Sequence, residues 1–133
     1  MEWSVQFDKR QNLLKISASG EPTLEGFKGY LETIASSPDW NPETTKIFCD
    51  FRDLQLSMIT PEFMDQLIRL HAELFHGRIG NQTAIAVSHS ADYGMVRRWE
   101  IYTNDFYPKQ AIFYTPDDAI NWLFGNNQGN SEP

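Results

Sequence analysis

The chain has 133 residues, 41% of them hydrophobic and 22% charged, which is enough for one hydrophobic core without disulfide or metal support. Its formal net charge of −7 disfavours binding to nucleic acids and to anionic membranes, because both repel an acidic surface. Cys49 is the only cysteine, so an internal disulfide is excluded, and its apolar neighbours predict a buried thiol.

The first part of the chain predicts two strands, a helix and a third strand. Residues 3–7 and 13–19 alternate apolar and polar side chains around a polar turn, which is typical of an antiparallel hairpin. Thr23 can cap a helix over residues 24–35, where apolar residues recur at helical spacing. The apolar run at residues 46–51 indicates a strand that is buried on both faces.

The second part of the chain continues the alternation of helices and strands. Residues 52–59 are expected to be irregular, and Thr60 followed by Pro61 then predicts a helix that runs to about His76 and ends at Gly77. The remaining predicted elements are, in chain order, a strand over 83–87, a helix over 91–104 capped by Ser90 or Asp92, a strand over 110–114, and a helix from Thr115 to Phe124.

The order of these elements is ββαβαβαβα, which predicts the α/β fold class. We expect four helices and a single mixed sheet of about five strands, with an antiparallel N-terminal hairpin and mostly parallel neighbours elsewhere. One domain should cover residues 1–124, and the polar, glycine-rich tail at 125–133 should be disordered. Because no membrane span or signal peptide is indicated, we expect a cytoplasmic protein.

Four short patterns of residue type carry a family resemblance. They lie at residues 48–54, which end the third strand, and at residues 85–87, 93–97 and 118–123. With the element order, they make nearly the whole chain resemble the SpoIIAA-like proteins, a bacterial group related to the STAS domains of anti-sigma factor antagonists. The resemblance implies a small β/α domain that acts through protein contacts or small ligands. Related folds include lipid carriers of the CRAL-TRIO type.

The resemblance also implies where a regulatory phosphorylation site would lie. Regulatory STAS proteins carry an aspartate-serine pair after the third strand, and the serine of that pair is phosphorylated as a switch. Met58 and Ile59 stand at those positions here, so the chain departs from the pattern of the switch. Thr60 is adjacent and is the remaining candidate for phosphorylation, although it is also the predicted cap of the second helix.

No pattern in the sequence indicates a catalytic residue, a metal site or a cofactor. His71 and His76 are five residues apart, which places them about 140° apart on a helix, whereas a zinc-binding pair needs one face. His71 is instead expected to border the core. The serine-hydrolase elbow and the phosphate-binding loop are both absent. An enzyme would need convergent polar groups in a closed pocket. We rank enzymatic activity last of three hypotheses for the function.

The third predicted helix combines aromatic residues with arginine. One stripe with helical spacing consists of Met95, Arg98, Trp99, Tyr102 and Phe106. Tyr93, Val96 and Ile101 are predicted to lie away from this stripe, so the helix is apolar over more of its circumference than one core contact requires. The candidate residues for contact with a partner or ligand are Tyr93, Arg97, Arg98, Trp99 and Tyr102.

Two further hypotheses follow from the wide apolar faces of the second and third helices. The first is a non-enzymatic interaction or regulatory module that forms a homodimer, or binds a protein partner, through one of these helices. The second is a site for a small anionic or lipid ligand between the carboxyl edge of the sheet and the third helix, with arginine binding the anionic group. Alternatively, the arginines only form surface ion pairs with the surplus acidic residues.

Overall fold

A computed structural model describes residues 1–75 and 81–125 of the chain. Within these ranges the elements follow the predicted order, with one additional 3₁₀ turn after the third strand. They are β1 (Glu2–Asp8), β2 (Leu13–Gly20), α1 (Leu24–Ala35), β3 (Lys46–Leu54), the 3₁₀ turn (Leu56–Met58), α2 (Pro61–Phe75), β4 (Thr83–Ala86), α3 (Ser90–Thr103), β5 (Gln110–Phe113) and α4 (Pro116–Phe124). His76 and Gly77, predicted to end the second helix, and the predicted tail beyond Gly125 lie outside the described residues.

The described strands form one mixed sheet in the order β1-β2-β3-β4-β5. β1 and β2 pair antiparallel, with Val5 opposite Ile16, and all other neighbouring strands pair in parallel. Right-handed crossovers place the helices between successive parallel strands on one face of the sheet. α1, α2 and α3 share that face, and α4 packs on the other. The predicted α/β architecture with its antiparallel edge hairpin is therefore confirmed.

Alternate residues of the central strands contribute to two hydrophobic cores of unequal size. The larger core lies under α1, α2 and α3, and its members Leu14, Ile16 and Cys49 are at most 6% exposed. The next residues along the same strands, such as Leu13 and Phe48, point to the opposite face and pack near α4. The larger core is the one that contains a cavity.

Two glycines in α1 allow the N-terminal strand to pack closely against this helix. A Cβ atom at Gly29 would lie 2.9 Å from Cζ2 of Trp3, and one at Gly26 would lie 2.6 Å from Sδ of Met1. Both distances are too short for a larger residue without movement of its neighbour. The glycines therefore serve the contact between β1 and α1.

The third strand extends beyond the apolar run at residues 46–51 and ends at Leu54, which is also where the pattern at residues 48–54 ends. After a register shift in β2, Gly20 pairs with Leu54, which continues the ladder through residues expected to be irregular. The Arg52 guanidinium donates to both carboxylate oxygens of Asp50 at 2.9 Å, and this hydrogen bonding lowers the pKa of Asp50. The pair stabilises an extended backbone that the apolar pattern alone did not indicate.

The third helix also begins differently from the prediction. Its N-cap is His89, not Ser90 or Asp92, and no side chain makes the capping hydrogen bond. The His89 carbonyl accepts the first helical hydrogen bond from the N–H of Tyr93 at 3.0 Å, which defines the cap position. The helix therefore starts at Ser90, and Ser88, just before the cap, donates its hydroxyl to the Arg52 carbonyl at 2.8 Å.

Candidate functional site

The five contact residues predicted on α3 do not share one pocket. Tyr93 stacks on Tyr114 with ring centroids 5.5 Å apart, near the end of β5. Arg97 forms an ion pair with Glu100 at 3.0 Å on the exposed surface. Trp99 packs into the larger core. The ligand pocket predicted at the carboxyl edge of the sheet is therefore not formed by this set of side chains.

Arg98 and Tyr102, the other two of the five predicted contact residues, line a groove of about 270 Å³ on the surface. We call it the outer groove, and it lies between α3 and the start of α2. Its lining combines apolar walls with a few polar groups, from Ile59, Thr60, Pro61, Met64, Asp65, Ile68, Met95, Arg98 and Tyr102. Arg98 and Tyr102 therefore line the same groove as Thr60, the predicted cap of the second helix.

The outer groove carries one cation and one carboxylate, and both are exposed. Neither Arg98 nor Asp65 takes part in the three ion pairs formed among the described residues. Both charges are therefore available to a partner.

Thr60 stands at the start of α2 on the same groove. Its hydroxyl oxygen accepts a hydrogen bond from the N–H of Phe63 at 3.1 Å, as expected of a helix cap. Phosphorylation of Thr60 stays a prediction, but its position would bring a phosphate into the groove that Arg98 lines.

Large apolar side chains are exposed on the elements that form the groove. Met58 in the 3₁₀ turn is 45% exposed, and Ile101 and Tyr102 on α3 are 61% and 57% exposed. Met58 and Tyr102 lie on neighbouring elements, because α3 packs directly against the 3₁₀ turn. Ile101 instead lines a different surface depression with Arg97 and Asn104. Met, Tyr and Arg are enriched in the cores of protein interfaces.

The buried face of α3 is rotated relative to the predicted stripe. Val96, predicted to lie away from the stripe, is 5% exposed, whereas Tyr102, a member of the stripe, points outward. Thr103 on the buried side accepts a hydrogen bond from Nε2 of Gln110 in β5 at 2.9 Å, and this bond joins α3 to the sheet in the observed orientation. Its hydroxyl also donates to the Trp99 carbonyl within the helix at 2.7 Å.

A second space lies inside the larger core, beneath α1, α2 and α3. This inner cavity has a volume of about 90 Å³, and its lining comes from these helices and from β2 to β5. Aromatic side chains supply much of the wall, namely Phe27, Tyr30, Trp40, Phe51, Phe75, Trp99 and Tyr107. Among the described residues, no lysine, arginine, aspartate or glutamate lines it.

His71 lies in the aromatic wall of the inner cavity, and it is buried as predicted. Its ring centroid is 4.8 Å from that of Trp99 and 5.6 Å from that of Tyr107. Nδ1 lies 2.9 Å from the Leu67 carbonyl oxygen, and because a carbonyl only accepts, Nδ1 donates and Nε2 is left as an acceptor. Burial lowers the pKa of His71 to about 4, so the ring is neutral at pH 7.

Other buried side chains with polar atoms also line the inner cavity, among them Thr83, Cys49, Tyr30 and Tyr107. The Thr83 hydroxyl has no hydrogen-bond partner within the part of the chain that the structure describes. The Cys49 thiol has its pKa raised to about 12, first by burial and then by the neighbouring Asp50 carboxylate. Cys49 is therefore a protonated, buried thiol at neutral pH, in agreement with the prediction.

Sequence reasoning located the outer groove in part and missed the inner cavity. His71 carried a signal, because it falls among the leucines of the α2 stripe, at Leu67, Leu70 and Leu74. Thr83 carried none, since a threonine in a strand is ordinary and its hydroxyl partner depends on the fold.

Neither a cluster of metal ligands nor a membrane-spanning helix is found among the described residues. No group of three or more His, Cys, Asp or Glu side chains in ranges 1–75 and 81–125 could hold a metal ion. No helix in these ranges is long and apolar enough to cross a membrane.

Comparison with known proteins finds similarity in structure. No family model and no curated protein matches the sequence. An uncharacterized protein of the DUF3478 family from Shewanella loihica, with a SpoIIAA-like fold, is 18% identical over 91% of this chain and 93% of its own, with a TM-score of 0.64. An anti-sigma factor antagonist from Mycobacterium paratuberculosis is 14% identical over 92% of this chain and 95% of its own, with a TM-score of 0.50. The chain therefore has the SpoIIAA-like fold that the sequence resemblance implied.

Proposed function

We propose that the protein is a non-enzymatic interaction module that associates with a second copy of itself through the outer groove. The observation that carries this proposal is the groove itself, where an exposed cation and an exposed carboxylate flank apolar walls. One of its structural neighbours is an anti-sigma factor antagonist, a protein whose name describes action on another protein. The bacterial origin and cytoplasmic location expected from the sequence belong to the same proposal.

The charges of the groove favour a twofold contact between copies. In a twofold interface the same patch meets itself, so a contact from one residue to a second residue of the other copy is repeated in the reverse direction. Arg98 of one copy can then face Asp65 of the other, and the contact occurs twice. The exposed side chains of Met58 and Tyr102 lie on the elements that would be covered.

Tyr102 offers a test that leaves the core intact, because it is 57% exposed. A glutamate at Trp99 would damage the larger core, whereas Tyr102→Glu places a charge at the groove alone. We expect sedimentation equilibrium at tens of micromolar protein to give a dimer for the wild type and a monomer for Tyr102→Glu. Tyr114→Glu is the matched control, since Tyr114 is 49% exposed and does not line the groove, and it should remain a dimer.

Charge reversal tests the twofold arrangement. Arg98→Asp and Asp65→Arg should each weaken the dimer about tenfold, and the double variant should restore it because the pair is rebuilt with opposite polarity. A wild type that is monomeric at tens of micromolar would refute self-association. A dimer that survives Tyr102→Glu would place the dimer interface elsewhere. The groove would then be left as a site for a different protein partner.

A further inference from the structure

The inner cavity is large enough for a small molecule. A single buried water needs roughly 10–15 Å³ in this kind of measure, and the cavity offers about 90 Å³. This space corresponds to roughly six water-sized groups, which is the size of one substituted aromatic ring or a short alkyl chain. Its apolar wall favours an apolar body over a cluster of waters, since each water needs two to four polar partners.

Thr83 is a buried residue of the cavity wall whose hydroxyl has no partner among the described residues. Thr83 is 6% exposed, and its hydroxyl has no hydrogen bond to any described residue. An unpaired buried hydroxyl costs about 1–3 kcal/mol, so such groups in native proteins commonly have a partner in water or a ligand. Gln110 lies in the same wall, but its Nε2 donates to Thr103 and to the Tyr107 carbonyl, and no hydrogen bond joins Gln110 to the Thr83 hydroxyl.

The charge of the wall restricts the ligand. The described lining includes no charged side chain, and His71 is buried among the rings of Phe75, Trp99 and Tyr107. A carboxylate or ammonium group placed here would lose its hydration without gaining a counter-ion, which is strongly unfavourable. A neutral hydroxyl or similar group suffers no such penalty and can bond the Thr83 hydroxyl.

We propose that the inner cavity binds a small uncharged molecule with an apolar body of one ring or a short chain and one neutral hydrogen-bonding group directed at Thr83. This site is separate from the outer groove and does not depend on self-association. It also differs from the predicted ligand site, which relied on arginine for an anionic group.

Three single-ring probes of similar shape separate the contributions of the apolar ring, the hydroxyl group and the charge to binding. p-Cresol is neutral with a hydroxyl, toluene is neutral without one, and p-toluate carries a carboxylate charge at pH 7.5. We expect calorimetry to show binding of p-cresol with a sub-millimolar Kd, toluene about tenfold weaker for want of the hydrogen bond, and p-toluate not at all.

The methionines locate the bound probe without any substitution. Of the four methionines, Met64 and Met95 line the cavity, whereas Met1 and Met58 do not. In spectra of the full chain labelled with ¹³C at the methionine methyls, p-cresol should shift the signals of Met64 and Met95 only. Shifts at Met58, or none at all, would contradict the proposed position.

Two substitutions distinguish the inner cavity from the outer groove, which Met64 and Met95 also line. Thr83→Val removes the hydroxyl at nearly constant shape, so p-cresol should lose its tenfold advantage while toluene binds as before. Cys49→Leu fills part of the cavity and should weaken both neutral probes more than tenfold. Trp122→Phe, which packs against Phe113 on the opposite face, is the control and should leave both affinities unchanged.

The following results would overturn the proposal. They are the absence of binding by either neutral probe at millimolar concentration, equal binding of p-toluate, and full affinity in a Cys49→Leu variant. Circular dichroism and a thermal melt confirm that each variant is folded, and the wild-type comparison of the three probes stands even if one variant is not. A monomeric wild type would affect only the self-association proposed above.

Discussion

The outer groove and the inner cavity are separated by one layer of side chains but differ in their chemistry. Ile59, Met64 and Met95 line both spaces. The groove carries the exposed charges of Arg98 and Asp65, whereas the cavity is bounded by aromatic rings with buried polar groups. A single sequence feature, the wide apolar faces of α2 and α3, therefore produces two surfaces, one directed inward and the other outward.

This difference determines what a substitution at each place should change. Cavity groups are buried, so their protonation and hydrogen bonding contribute to the free energy of unfolding. Arg98, Asp65 and Tyr102 in the groove are exposed, so changes to them should affect association and leave folding nearly unaltered.

The largest effect concerns the pH dependence of stability at His71. Burial lowers its pKa from 6.5 to about 4, so between these values the unfolded chain binds a proton that the folded chain does not. The free energy of unfolding that neutral His71 contributes is complete above pH 6.5. It is lost as the pH falls toward 4, by about 3 kcal/mol in total. Urea unfolding at pH 7 and pH 4.5 measures the loss.

Removal of the histidine should flatten this profile. His71→Leu places an apolar side chain among the same rings, so its unfolding free energy should change far less between pH 7 and pH 4.5. His89→Gln replaces an exposed histidine and should follow the wild type. An unaltered slope in His71→Leu would mean that other groups cause the loss and that His71 is not buried as a neutral ring.

The second effect compares two buried threonines. Thr83 has an unpaired hydroxyl, whereas the Thr103 hydroxyl both donates and accepts hydrogen bonds. Thr83→Val should raise the free energy of unfolding by about 1 kcal/mol, and Thr103→Val should lower it by about 1–3 kcal/mol. Chemical denaturation of the two variants in parallel provides the measurement. Two changes of the same sign would show that Thr83 has a partner in solution.

Local patterns were sufficient to predict the element order and the edge hairpin. Alternation over residues 13–19 fixed which face of β2 is buried, and the threonine-proline pair at Thr60 fixed the start of α2. These signals depend on neighbours in the chain, so they survive without knowledge of the fold. The apolar pattern alone did not indicate the extension of β3 to Leu54, because the extension depends on pairing with Gly20 in another strand.

The candidate site was harder to predict for a related reason. Apolar side chains surround most of α3, so periodicity could not decide whether Val96 or Tyr102 faces the core. Contacts with other elements accompany the observed orientation, such as the hydrogen bond to Thr103 from Gln110 in β5, and the periodicity of one helix does not reveal them. A cavity is harder still to predict from the sequence, because it is the space left between several packed elements.

The smallest effect on folding is expected in the outer groove. Arg98 and Asp65 are exposed and form no ion pair among the described residues, and Tyr102 is 57% exposed. Alanine at any of these positions should change the unfolding free energy of the monomer by less than about 0.5 kcal/mol. Met64→Ala is the contrast, because Met64 is 5% exposed between groove and cavity, and it should cost about 2–5 kcal/mol. Unfolding at protein concentrations below the dimer range gives the comparison. If Tyr102→Ala were as damaging as Met64→Ala, Tyr102 would belong to the core and the groove would not be a separate surface.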